Sequence, residues 1–231
     1  MLVDPTYNAL GAKRLNSQSV RKKEALTVEQ LHKMYQKLVC EGGTLSDVRI
    51  MCFCILGFSG FLRYDEISNL RVSDIDFHGA YLKLFIEKSK TDVYRDGNWV
   101  LIANGESKLC PASLLRLYLR KANLEDLQSP EFLFRAISKG KFVEKLRKTP
   151  KHISYSRVRE LLLAALKKIG LNVKDYGTHS LRSGGATAAA NADVPDRLFK
   201  RHGRWQSDKA KDGYVKDNVT RLLSVSRALG L

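Results

Sequence analysis

The chain has 231 residues, 44% of them hydrophobic and 28% charged, with a formal net charge of +16. That composition excludes a disordered or low-complexity chain and leaves one large domain or two small ones around a sizeable core. The longest apolar stretch, Ile50–Phe58, is too short to span a bilayer, and no charged leader with an apolar core and cleavage site opens the chain. Neither a membrane anchor nor secretion is therefore expected.

Residues 1–24 are polar and irregular and read as a linker or the remnant of a preceding DNA-binding domain. Thr27-Val-Glu-Gln30 has the form of a capping box, opening a helix to about Val39 that Glu41-Gly-Gly43 stops. A second, mostly buried helix is expected from about Ser46 to Gly57. "GFLRYDEISNL" (60–70) suggests a turn and a short helix. "VSDIDF", "HGAYLKLFIEK" and "NWVLI" follow as β-rich runs, the last two separated by a polar turn, and predict a small antiparallel sheet. Pro111 fits the first position of a helix to about Ala122. Ser154 opens a strongly amphipathic helix that Gly170 is placed to end. From there the pattern is helical to the end, with breaks near Gly177, Asp193–Pro195, Gly203 and Asn218. The fold class is mainly α with one small antiparallel sheet, α+β.

The basic residues are spread along the chain, at Lys13, Arg14, 21–23, 139–151 and 200–204. A solvated basic surface would look similar. An excess of +16 on one foldable chain nevertheless favours a basic face and a polyanionic partner, for which nucleic acid is the usual candidate. Cys40, Cys52, Cys54 and Cys110 include no Cys-x-x-Cys pair. They read as reduced core residues of an intracellular protein rather than zinc ligands, and no metal or cofactor is expected.

Two arginines from different segments can clamp one phosphate, because each guanidinium is a permanently charged planar fork of donors. Arg63, where a turn meets a short helix, and Arg182, just after Thr178-His179-Ser180, are placed for this. Their surroundings resemble the tyrosine recombinases of the phage-integrase type. "GFLRYDEISNL" resembles the first arginine box, with Glu66 supporting Arg63. "HSLR" matches the His-x-x-Arg box through His179 and Arg182. Trp205 stands nine residues before Tyr214, the spacing of the family's His-or-Trp position to its nucleophile. Lys90, in the "EKSKTDV" turn between two strands, best fits the family's catalytic lysine; Lys88 is a rival and a candidate DNA contact. His202 and Arg204 are further candidate DNA contacts. The "HGRW" form resembles recombinases of eukaryotic DIRS-type and crypton-type mobile elements.

The resemblance implies the tyrosine recombinase catalytic-domain fold over 25–217, with a C-terminal helix at 218–231 that folds back or is exchanged between protomers. It implies a metal-independent enzyme that cleaves and rejoins double-stranded DNA through a 3′-phosphotyrosyl intermediate, as a homo-oligomer on DNA. A free tyrosine hydroxyl titrates near about 10, so Tyr214 needs help to attack at neutral pH. His179 is the implied acid–base partner, Lys90 the general acid for the leaving 5′-oxygen, and Trp205 packs behind the phosphate. Ser183 stands where many relatives carry another histidine. Two rivals remain open: a type IB topoisomerase-like relaxing activity, and a domesticated DNA-binding protein that no longer cleaves. The mobile-element likeness and the charge place the chain in the nucleus if it is eukaryotic, otherwise in the cytoplasm.

Overall fold

The computed structural model describes residues 22–87, 97–141, 143–216 and 219–229. Lys88 and Lys90 lie outside the described residues.

Helix α1 (Val28–Tyr35) starts at the expected capping box: the Gln30 amide donates to Thr27 Oγ1 at 3.2 Å, and the Thr27 amide donates to Gln30 Oε1 at 3.0 Å. A π-turn (Gln36–Cys40) carries the chain one turn further than α geometry alone. Helix α2 (Leu45–Ser59) is capped by Thr44 and is buried over almost its whole length. An all-round apolar helix must be enclosed on every side. It packs against α4 (Pro111–Ala122), α5 (Tyr155–Lys168) and α6 (His179–Asn191), and so forms the axis of the core.

Between α2 and α4 come a short helix α3 (Tyr64–Ser68), a 3-10 turn (Val72–Asp74) and an antiparallel sheet ordered β1 (Ile75–Phe77), β2 (Tyr81–Ile86), β3 (Asn98–Ala103). Leu82 pairs with Ile102 and Leu84 with Val100, which puts the apolar residues of both strands on the core face. Residues of period two leave Lys83 and Trp99 on the other face, the ammonium 3.9 Å from the ring centroid. The chain then adds α7 (Asp196–Gly203), α8 (Asp208–Asp212) and α9 (Val219–Arg227). Among the described residues no helix is long and apolar enough to cross a membrane.

The mainly helical class with small antiparallel sheets matches the reading from sequence. A second sheet was not expected: β4 (Ile137–Lys139) and β5 (Glu144–Leu146) form a hairpin. Its strands are three residues each and largely polar, too short for alternation to register. The cysteine expectation needs one correction. Cys52, Cys54 and Cys110 are buried, but Cys40, at the end of the π-turn, is exposed. Tyr118 is wholly buried, its hydroxyl donating to the Leu133 carbonyl at 2.8 Å.

Helix α6 brings two glycines directly against neighbouring backbone. A Cβ on Gly184 would collide with the Leu26 carbonyl, and one on Gly185 with the Phe58 carbonyl. Both obstacles are backbone, which cannot rotate away. Gly185→Ala should therefore destabilise the fold by roughly 2–3 kcal/mol, in the overpacking range. Urea denaturation of the variant beside wild type reads this directly, as a lowered midpoint at unchanged slope.

Candidate active site

Glu66 organises the site. Only 3% of its surface is exposed. Its Oε2 accepts the Arg63 amide at 2.8 Å and Arg204 Nη2 at 3.0 Å, while Oε1 accepts Arg63 Nη1 at 3.0 Å. Arg182 Nη1 stands 3.7 Å from Oε2. Burial opposes ionisation of this carboxyl, but Arg204, the Arg63 amide, Arg182 and the Arg63 guanidinium outweigh it and hold its pKa below the usual range. One carboxylate thus faces three guanidiniums, and the cluster keeps a surplus of positive charge away from bulk water. Removing one partner from a buried ion cluster costs about 3–5 kcal/mol, so Glu66 is also a structural requirement.

Each arginine arrives by a different local device. Arg63 is the residue before α3, and the reciprocal bonds with Glu66 fix both its backbone and its side chain. Arg182 lies in the first turn of α6, 1% exposed. Its Nη1 donates to the Phe61 carbonyl, and its Nη2 to the Gly203 carbonyl at 2.5 Å. Burial, then the positive charge of Arg63, holds its pKa below that of an ordinary arginine. Phe61 adopts a left-handed backbone (φ 48°), rare for an aromatic residue, and this turns its carbonyl toward the two guanidiniums.

The aromatic residues form a small cluster of their own, apart from the main core. Trp205 packs against Phe61, Phe199 and Tyr214, with centroids 5.8, 5.0 and 5.8 Å away. The Arg182 guanidinium carbon stands 4.9 Å from the Trp205 ring and 5.0 Å from the Tyr214 ring. Both rings therefore lie over the cation. The indole Nε1 of Trp205 is buried without a hydrogen-bond partner.

His179 opens α6 beside this cluster. Arg63, Tyr64, Asp65, Tyr155, His179 and Tyr214 line one cleft of about 410 Å³. Partial burial, then Arg63 and Arg182, lowers the His179 pKa, with Asp65 opposing. The imidazole is therefore neutral at pH 7 and can accept a proton.

Arg63, Glu66, His179, Arg182, Trp205 and Tyr214 thus converge from three separate stretches of chain. His202 and Arg204, the candidate DNA contacts, both have internal partners. His202 Nε2 stands 2.8 Å from the Ser59 carbonyl and its ring meets Phe61 edge-on at 4.6 Å; Arg204 bonds Glu66. Trp205, not His202, is the residue beside Arg182.

Three residues of the site carried no motif. The Ser183 hydroxyl donates to the Tyr214 carbonyl at 2.7 Å, and Thr187 Oγ1 accepts the Lys216 amide at 3.1 Å. Both bind the tyrosine segment to α6. Tyr155 stacks edge-on against Tyr64 at 5.2 Å on the cleft wall. Ser183 and Thr187 are four apart on one helical face, a signal that would have needed the position of the tyrosine segment to be read.

The fold itself is shared with solved DNA recombinases. XerH bound to palindromic difH substrate, in a post-cleavage complex, superposes with a TM-score of 0.68 at 16% identity, over 94% of this chain and 56% of that one. XerA recombinase gives 0.63 at 17% identity, over 92% and 65%. A lambda integrase (75–356) dimer bound to a COC′ core site gives 0.59 at 20% identity, over 92% and 65%. In sequence, an integrase/recombinase xerD homolog of Selenomonas ruminantium is 28% identical over 173 residues, 74% of this chain and 48% of that protein. The chain spans about half the length of that relative. Residues 24–221 match the phage integrase family, and the chain belongs to that family.

The Arg63 contribution to His179 can be measured in the free protein. In an NMR titration the imidazole of His179 should have its midpoint below that of an ordinary histidine. Arg63→Gln removes a repelling charge, so the midpoint should rise; a midpoint unmoved by that substitution would place Arg63 too far from the ring to act on it.

Proposed function

We propose that the chain is the catalytic domain of a site-specific DNA recombinase, cutting and rejoining DNA through Tyr214. The observation that carries this reading is the buried cluster of three guanidiniums around one carboxylate, with His179 and Tyr214 on the same cleft. Such a cluster is electrostatically incomplete until an anion joins it, and a phosphodiester brings one negative charge with oxygens that match guanidinium forks.

In the proposed reaction, the scissile phosphate enters between Arg63 and Arg182. Its arrival displaces the Tyr214 ring from the face of Arg182, and the phenol oxygen attacks phosphorus in line with the 5′-oxygen. The phenol proton passes to the neutral His179 imidazole. The P–O5′ bond breaks, the 5′-oxygen takes a proton, and a 3′-phosphotyrosyl bond remains. Attack by a 5′-hydroxyl reverses every step, so rejoining needs no external energy source. Arg63 and Arg182 stabilise the pentacovalent phosphorane, whose equatorial oxygens carry more charge than the diester's. The unpartnered Trp205 N–H is a further donor for the same phosphate. Lys90 remains the proposed acid for the 5′-oxygen.

Exchange between two sites calls for more than one protomer. We assign the joint to α9 and the residues after it, where Val219, Leu222, Leu223 and Leu229 are all exposed. The Gly203-Arg204-Trp205 sequence supports placing the chain with DIRS-type or crypton-type elements, and the nuclear compartment follows from that placement. Residues 1–24 would then be the link to a further DNA-binding domain.

A labelled pool of nicked duplexes tests the chemistry, because loss of the short fragment traps the cleaved state. The expected result is a detergent-resistant protein–DNA adduct, absent with Tyr214→Phe and slowed roughly 10²- to 10³-fold with Arg63→Gln. Salt-sensitive DNA binding without any adduct would overturn the reading in favour of a non-cleaving DNA-binding protein.

A further inference from the structure

Arg204 occupies a position that a glycine would fill more easily. It ends α7 with a left-handed backbone, φ 53° and ψ 41°, where a Cβ is disfavoured. Its side chain does not turn out to solvent, although a phosphate contact would require that. It runs inward, 7% exposed, and all four of its terminal N–H bonds point at named acceptors. Nη2 meets Glu66 Oε2 at 3.0 Å and the Phe61 carbonyl at 3.2 Å; Nη1 meets the His202 carbonyl at 2.9 Å and the Gly60 carbonyl at 3.4 Å.

These acceptors are the ones that hold the phosphate clamp. The Glu66 oxygen that Arg204 contacts is the one that accepts the Arg63 amide, and the other oxygen accepts Arg63 Nη1. The Phe61 carbonyl receives Arg204 Nη2 and Arg182 Nη1 together. Arg204 is thus one step from both arms of the clamp, through shared acceptors. Its neighbours converge as well: Gly203 gives its carbonyl to Arg182, and Trp205 covers the same guanidinium. Three consecutive residues of one helix end therefore reach the clamp by three different means.

Resting on the recombinase reading above, we infer that Arg204 is a positioning residue. It braces the α7 end against the turn before α3, and through Glu66 and the Phe61 carbonyl it sets the orientation of Arg63 and Arg182 toward phosphate. It also adds a fixed positive charge to the site without meeting the substrate. A lysine there would keep that charge but not the fork, since one ammonium cannot span Glu66 and three carbonyls on two sides.

The test uses the nicked-duplex adduct assay at saturating DNA, with DNA affinity and melting temperature measured alongside. Arg204→Gly suits the left-handed backbone and removes the fork; Arg204→Lys keeps charge alone. Both should slow adduct formation roughly 10- to 100-fold at unchanged DNA affinity, as misoriented catalytic groups do. Glu66→Gln should cost less in the Arg204→Gly background than in wild type, because the two residues share part of one network. Wild-type adduct rates in Arg204→Gly would overturn the inference, as would an Arg204→Lys variant at full rate, which would make charge the whole effect. A slow variant whose melting temperature and DNA affinity fall in step would reduce Arg204 to a structural staple, and multiplying effects with Glu66→Gln would sever its route through Glu66. If wild type forms no adduct, the recombinase reading itself fails and this inference falls with it; a wild-type adduct beside an unimpaired Arg204→Gly sinks the inference alone.

Discussion

Glu66 lies 3.0 Å from Arg63, 3.0 Å from Arg204 and 3.7 Å from Arg182, nearly sealed from solvent. Three like charges cannot be gathered in a low-dielectric pocket unless an opposite charge shares them. The carboxylate therefore permits the pocket to exist, and its being single keeps the pocket attractive to an anion. A second carboxylate at the same place would neutralise the cluster more fully and cancel its pull on anions. Much of the surrounding structure serves to bring the three cations within reach of that one group: the capping geometry at α3, the glycine crossing of α6 over α2, and the left-handed turns at Phe61 and Arg204.

The two left-handed residues illustrate how local strain is placed. Phe61 and Arg204 meet at the pocket, one turning its backbone carbonyl and the other its side chain into it. Such conformations persist only where tertiary contacts over-determine them. Phe61 has its ring held by Phe199, His202 and Trp205, and Arg204 has its guanidinium held by Glu66 and three carbonyls. The small aromatic cluster thus does more than shield the site. It fixes the carbonyl that Arg182 and Arg204 share.

Helix α6 links the guanidinium cluster to the tyrosine segment. Its first residue, His179, reaches the cleft, Arg182 supplies a guanidinium, and Ser183 one residue later holds the Tyr214 carbonyl at 2.7 Å. Gly184 and Gly185 then press the helix onto the Leu26 and Phe58 backbone. Because these five roles follow one another within two turns, the tyrosine segment cannot move far from α6 by its backbone. Its side chain is the part left to respond. Braces between α7 and α8, such as Lys200 to Asp208 at 2.6 Å, are exposed and contribute little energy, but they hold the same segment from its other side.

The sequence by itself determined the class of fold, the helix starts at Thr27 and Ser154, the start of α2 to within a residue, and the residue types of the site, because capping, periodicity and short motifs are local properties of the chain. Through the resemblance of its motifs to the recombinase boxes it also suggested Arg63, His179, Arg182, Trp205 and Tyr214 as one set. What it left open depended on contacts between distant segments. Cys40 faces solvent because a π-turn ends there, Ser183 serves the tyrosine segment because that segment returns across α6, and the β4–β5 hairpin exists by pairing rather than by strand propensity. The same limit applied to Arg204 and His202, which lie in a basic run that reads as a DNA-facing surface. Only the tertiary structure decided that both side chains point inward, since Glu66 and the Ser59, Gly60 and Phe61 carbonyls that draw them in are brought there from more than a hundred residues away.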